Sequence, residues 1–252
     1  GIGAPGPANI ADGVIIFAPN IPGFENAPIK EWLAERLKVP VVFENDANAA
    51  CWGEFVAGVG KDMKDMVLLT LGTGIGGGII SNGRLVHGYA DAAAELGHMI
   101  IYPDGRLCGC GQKGCVEAYA SANSTVARAV EMLKKGKRLS SLAAVLDGGN
   151  EITCRDIYEH LSAGDELAKE VTDGTARALA ILCVNLVHAV GPEAIVFAGG
   201  MMASGDVLLD RVKEFFGQMM WSAQKTRTRI IAAALGDSAG MVGAAALAAE
   251  VQ

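Results

Sequence analysis

Two periodicities alternate along this chain, short apolar runs of strand length and longer stretches with helical spacing, in the order expected of an α/β fold. Val14–Phe17 reads as a strand, followed by the turn Pro19-Asn20-Ile21-Pro22-Gly23. Pro28 opens an amphipathic helix through Lys38 with Trp32, Leu33 and Leu37 on one side, and Pro40 ends it. Residues 41–43 read as a buried strand that runs through Glu44-Asn45-Asp46 into a helix over 47–59.

Gly58, Gly60 and the charged stretch 61–65 mark a boundary, after which a new strand spans 66–71. Glycines crowd residues 72–78 before a second strand at 78–80, so the motif is a hairpin. A helix over 117–135 points Val126, Val130 and Leu133 inward, and a helical region reaches Leu146 before Asp147-Gly148-Gly149-Asn150 breaks it. Thr153 caps a helix to about Ala163, and Asp165 starts a long apolar helix past Leu182 and Leu186 to Val190. After Pro192 come a strand at 194–197, a helix at 206–220, a strand at 229–235 and an Ala-rich helix at 239–251.

Composition narrows the class. With 252 residues and 51% hydrophobic content the chain can bury a large core, and its net charge of −7 offers no basic field for nucleic acid or an anionic membrane. The basic run Lys134-Lys135-Gly136-Lys137-Arg138 reads as a solvated helix end. No charged-then-apolar leader opens these residues, and no apolar run free of glycine or charge is long enough to span a bilayer, so a soluble cytoplasmic protein is expected. Cys51, Cys154 and Cys183 lie apart in apolar contexts, which fits a reducing compartment. The Met201-Met202 and Met219-Met220 pairs read as core or interface filler, and His87, His160 and His188 as satisfied or surface histidines without clustered partners.

The densest chemistry lies between Glu95 and Glu117. Cys108, Cys110 and Cys115 follow a C-x-C-x4-C spacing, and His98 precedes them by ten positions, the ligand set of a Cys3His zinc site. Structural or disulfide cysteines are the alternative. Four protein ligands close a zinc tetrahedron, so the metal is expected to be structural and to bring Glu95 and Glu117 to one pocket suited to a hydroxyl-rich ligand.

Asn45 and Asp46 sit where a strand passes into a helix; either alone reads as an N-cap, but the pair lies where open α/β sheets bind ligands. The 72–78 glycines lie between two strands, unlike a dinucleotide fingerprint, and offer a nest of backbone N–H groups with the Thr73 hydroxyl that can hold phosphate. Gly199-Gly200, at a strand end, let a flat ring or sugar lie against bare backbone.

Taken together, E-N-D, L-G-T-G-I-G-G-G, E-L-G-H, C-G-C-G-Q-K-G-C-V-E-A-Y-A-S and V-F-A-G-G resemble the ROK family of sugar kinases in the actin-like ATPase superfamily, its bacterial glucokinases most of all. The resemblance implies a two-lobed actin-like ATPase (ribonuclease H-like) α/β fold closing over ATP and a hexose, with residues 1–60 and 240–252 in a small lobe and 61–239 in a large one. It implies ATP-dependent phosphorylation, of glucose first, with Asp46 as general base and Asn45, Glu95, His98 and Glu117 on the other sugar hydroxyls. Gly72, Thr73, Gly74 and Gly76 would hold phosphate, Gly199 and Gly200 would flank adenosine, and Mg2+ and a structural zinc would be present. A homodimer or homotetramer is implied too. The family's D-x-G-G-T phosphate loop is not among these residues, so the small lobe is expected to be incomplete and one side of the ATP site missing; Ala94 stands where the family usually has glycine. Kinases for N-acetylmannosamine, N-acetylglucosamine or another hexose, and a sugar-sensing transcriptional regulator, are the alternatives within the family.

Overall fold

The computed structural model describes residues 1–18, 21, 23–136, 140–221 and 227–250. Pro19, Asn20 and Pro22 of the expected turn, Lys137 and Arg138 of the basic run, and the last residue expected in the C-terminal helix lie outside them.

The chain opens with β1 (Ile2–Ala4), then the antiparallel meander β2 (Ala8–Asn9), β3 (Val14–Phe17) and β4 (Glu25–Ala27), then α1 (Ile29–Leu37). β5 (Phe43–Asn45) pairs in parallel with β1, setting Ala4 opposite Asn45, and passes directly into α2 (Asp46–Ala57). The strand expected at 41–43 therefore sits two residues later and includes Glu44 and Asn45.

Next come β6 (Met66–Leu71), β7 (Ile75–Ser81) and β8 (Arg84–Leu85), followed by α3 (Glu117–Ala120), α4 (Ala122–Lys134), α5 (Ala143–Asp147), α6 (Cys154–Ser162) and α7 (Glu166–Val190). β9 (Ala194–Ala198), α8 (Asp206–Met219), β10 (Arg229–Ala232) and α9 (Ala239–Ala249) complete the order. Five strands form one sheet in the order β10-β9-β6-β7-β8, with β10, β9 and β6 parallel and β7 antiparallel to β6.

Helices cover both faces of this sheet, which is why Met66-Val67-Leu68-Leu69 is a continuous buried apolar run instead of an alternating one. Val67, Leu69 and Leu71 pack with Leu179 and Leu182 of α7 and Leu208 and Val212 of α8. Met66 and Leu68 point the other way, onto Ala50, Cys51 and Trp52 of α2 and Ala239 of α9. α7 is long and apolar enough to cross a membrane by composition, but half of that stretch is buried within the protein. Met201 is buried and Met202, Met219 and Met220 pack against the same core.

α2 and α9 approach closely because glycines meet at their crossing. A Cβ on Gly53 would stand 2.2 Å from the Ala239 carbonyl oxygen, and one on Gly243 would stand 1.7 Å from that of Ala49. Two backbones in such contact fix the helix that begins at Asp46.

Three local expectations need correction. On α1 the buried stripe is Ile29 with Leu33, one turn apart, whereas Trp32 is 52% and Leu37 58% exposed. The small meander beneath α1 has room for a narrow stripe only. The helix expected over 117–135 breaks at Ser121, whose extended backbone and side-chain bond to the Ser124 amide start α4 afresh. A 3₁₀ turn, Gly200–Ser204, precedes α8, and β10 stops at Ala232, short of Leu235.

Candidate active site

β5 and α2 deliver the first functional pair. Asn45 caps α2, its Oδ1 accepting from the amides of Ala47 at 2.9 Å and Asn48 at 3.1 Å. That bond turns Asp46 outward at the head of the helix, where its Oδ1 accepts from the Ala47 amide at 2.7 Å. Asp46 keeps an accessible edge facing a cleft, yet the atoms crowding its carboxyl raise its pKa above the ordinary carboxylate value, the backbone bond to Ala47 opposing. A carboxylate with a raised pKa at a solvent-open cleft is a stronger base than a free one.

The glycine turn forms the second part. β6 ends at Leu71 and β7 begins at Ile75, so the open turn is Gly72-Thr73-Gly74, and Gly76, Gly77 and Gly78 belong to the strand. Two bonds pin the turn from the side of α3 and α4: Glu117 Oε2 accepts from the Ile75 amide at 2.8 Å, and the Gly72 carbonyl accepts from the Ala122 amide at 2.9 Å. The second bond is available because Ser121 breaks the helix. Gly76 lines the cleft, and a Cβ there would lie 2.6 Å from Thr70 Oγ1.

Glu95 is exposed and begins the 3₁₀ turn Leu96–His98, which packs on β7. Leu96 fills the space left by Gly77, where a Cβ would come within 2.6 Å of it, and a Cβ on Gly97 would meet the Ile75 carbonyl oxygen at 2.1 Å. These contacts place Glu95 on the cleft wall.

Behind that wall the ligand atoms of His98, Cys108, Cys110 and Cys115 all lie within 4.8 Å of one another. Cys108 Sγ is 3.7 Å from His98 Nδ1, and Cys110 Sγ is 3.7 Å from Cys115 Sγ. A tetrahedral zinc with Zn–S bonds of about 2.3 Å spaces its sulfurs about 3.8 Å apart, so the donors match such an ion in type, number and spacing. All six cysteines are free, and the 3.7 Å gap is far beyond an S–S bond of about 2.05 Å, which removes the disulfide alternative. Gly114, at φ 83°, lets the loop close: a Cβ there would stand 1.9 Å from the Tyr102 carbonyl oxygen.

These parts converge. A cleft of about 600 Å³ is lined by Asn45, Asp46, Gly72, Thr73, Gly74, Gly76, Glu95, Glu117 and Gly199, among others. A second cavity of about 770 Å³ shares Gly72 and Thr73 and continues along Cys154, Arg155, Gly200 and Ser204. One cleft thus carries the carboxylates, the other leads away from them, and the glycine turn belongs to both. His98 is not among the residues lining either; its Nδ1 faces the cysteines.

The ROK family profile matches residues 1–251. The chain belongs to the ROK family. A glucokinase of Halalkalibacterium halodurans is 39% identical over 244 residues, 96% of this chain and 73% of that protein. A glucokinase of Streptomyces coelicolor is 39% identical over 253 residues, 99% of this chain and 80% of that one. Among solved structures, a ROK family glucokinase from Streptomyces griseus in complex with glucose and AMPPNP superposes with a TM-score of 0.86 at 37% identity, covering 99% of this chain and 81% of that one. This ROK chain accordingly has the two-lobed actin-like ATPase fold.

Two residues near the ROK site escaped the sequence. Glu44 is buried beside Asn45, and its carboxylate meets His87 Nε2 at 2.8 Å, so His87 does have a clustered partner. Forty-three positions separate them, and no local pattern signals the pairing. His160 bonds Ser141, and His188 is exposed.

Proposed function

We propose that this protein is an ATP-dependent hexose kinase that converts glucose to glucose 6-phosphate. The observation that carries this reading is the pairing of clefts: Asp46, Glu95 and Glu117 line one, the Gly72-Thr73 turn borders both, and the second has room for a nucleotide. Phosphoryl transfer asks mainly for positioning and charge neutralisation around a reactive oxygen, and this arrangement supplies the positions.

ATP, as its magnesium complex, is the phosphoryl donor. Asp46 accepts the proton of the attacking sugar hydroxyl as its oxygen bonds the γ-phosphorus and the bond to the bridging oxygen of ADP breaks. Asn45, Glu95 and Glu117 take the remaining hydroxyls, with His98 offering the ring nitrogen that the cysteines leave free. Gly72, Thr73, Gly74 and Gly76 border the phosphates, the Gly72 amide itself being spent on the Gly74 carbonyl at 3.0 Å, and Gly199 and Gly200 flank the adenosine. Zinc at His98, Cys108, Cys110 and Cys115 would hold the loop between Glu95 and Glu117 and take no part in the chemistry.

ADP release coupled to a dehydrogenase readout, run with glucose, mannose, fructose, N-acetylglucosamine and N-acetylmannosamine, tests the assignment. The largest kcat/KM is expected for glucose. A preference for N-acetylmannosamine would move the chain to another kinase of the family, and ATP-independent sugar binding without turnover would favour a sensor.

A further inference from the structure

Glu44 has an unusual position for an acid: 4% exposed, one residue before Asn45 and two before Asp46. Oε1 accepts from the Asn45 amide at 2.9 Å and from Asn48 Nδ2 at 3.0 Å, while Oε2 meets His87 Nε2 at 2.8 Å. A buried carboxylate is tolerated when it is paired and fully bonded, and His87, when protonated, is its counter-charge.

His87 lies just before the segment 90–95, which lines the cleft that also holds Asn45 and Asp46. Its carbonyl accepts from the Ala93 amide at 3.0 Å, closing residues 87–93 into a loop, and Asp91 Oδ2 accepts from the Ile10 amide at 3.0 Å. Ala90 to Glu95 line the same cleft as Asn45 and Asp46. The wall that ends in Glu95 is thus tied at His87 to the strand bearing the acceptor-side pair, and at Asp91 to the turn after β2.

We propose that the Glu44–His87 pair is a clamp joining the 88–95 wall to the Asn45-Asp46 strand, and that His87 is a positioning residue for the sugar. The clamp rests on the kinase reading for its effect on turnover but not for its effect on the loop. Glu44 passes His87's position on through the two bonds at Oε1, which hold the Asn45 amide and the Asn48 side chain. The bond to Glu44 raises the His87 pKa above its ordinary value, burial opposing and the charges of Glu44 and Asp91 assisting.

The test measures sugar and ATP KM together with amide hydrogen exchange across the full-length protein for His87→Ala, His87→Gln and His87→Arg. A charge-assisted bond of this kind corresponds to a change on the order of tenfold or more. In His87→Ala the glucose KM should rise about that much with the ATP KM unchanged, and amides in 88–95 should exchange about tenfold faster while the five-stranded sheet keeps its protection. His87→Arg, which keeps a cationic donor, should recover much of both, and His87→Gln less. An unchanged glucose KM and unchanged exchange in 88–95 would overturn the clamp, as would a uniform rise in exchange over the whole chain. Wild-type protein that turns over no hexose would defeat the kinase reading instead, and the exchange arm would still decide the clamp.

Discussion

Glu117 and Ile75 are joined by a 2.8 Å bond from the Ile75 amide to Glu117 Oε2, and the other oxygen of the same carboxylate lies 3.6 Å from Cys108 Sγ. One side chain therefore touches the glycine turn and the metal-ligand cluster at once. Whatever fixes the cysteines also fixes the turn.

It follows that disturbing the cluster should be felt in the cleft. Cys110→Ser is expected to lose about one zinc per chain by elemental analysis and to raise the glucose KM on the order of tenfold, the loss of roughly one good hydrogen bond. Metal loss with an unaltered glucose KM would show that Glu117 holds the turn without help from the loop.

The α2–α9 crossing makes a prediction of opposite sign to helix propensity. In an exposed helix interior Gly→Ala is worth about 1 kcal/mol of stabilisation. At Gly243 the added Cβ would fall 1.7 Å from the Ala49 carbonyl oxygen, a backbone atom that moves only if the helices separate. Overpacking of that kind costs about 1–3 kcal/mol or more, so Gly243→Ala should lower the melting temperature and, by shifting the head of α2, reduce kcat as well. A thermal melt showing stabilisation would contradict the close contact.

Asp165 gives a pH-dependent case away from the site. It caps α7 through the Leu167 and Ala168 amides and binds Ser140 and Ser141. Burial pushes its pKa up, but these bonds prevail and hold it at about 2. A carboxyl depressed in the folded state stabilises above its unfolded pKa of about 3.9, and that stabilisation is lost as pH falls toward 2. Asp165→Ala should therefore cost about 1 kcal/mol near neutral pH, a fall of about 2–4 °C in Tm, with the difference shrinking in acid. Melts of both proteins at several pH values check it.

Much of this was legible because it is local. The capping signals at Thr153 and Asp165, the cysteine spacing of the metal loop and the apolar runs of β6 and β9 each depend on near neighbours. What stayed hidden depends on distant partners. β1 is a strand only because β5 lies beside it, Glu44 finds His87 forty-three residues away, and the spacing of Trp32 and Leu37 marks an apolar face without saying how much of it the meander can cover. By sequence the glycines of β7 suit a phosphate nest, and their packing against Leu96 and Thr70 adds a second reason for them that only the folded neighbours reveal.

The central claim is that Asp46 is the base of a hexose kinase, and the steady-state kinetics of Asp46→Asn with glucose and ATP test it most directly. A carboxamide keeps the shape and cannot accept the proton, so kcat should fall by about 10² to 10⁴ with the glucose KM changed little. In the wild type, kcat/KM should decline as pH drops through the raised pKa of Asp46, because the protonated acid is no longer a base. Undiminished turnover of glucose by Asp46→Asn would contradict the account.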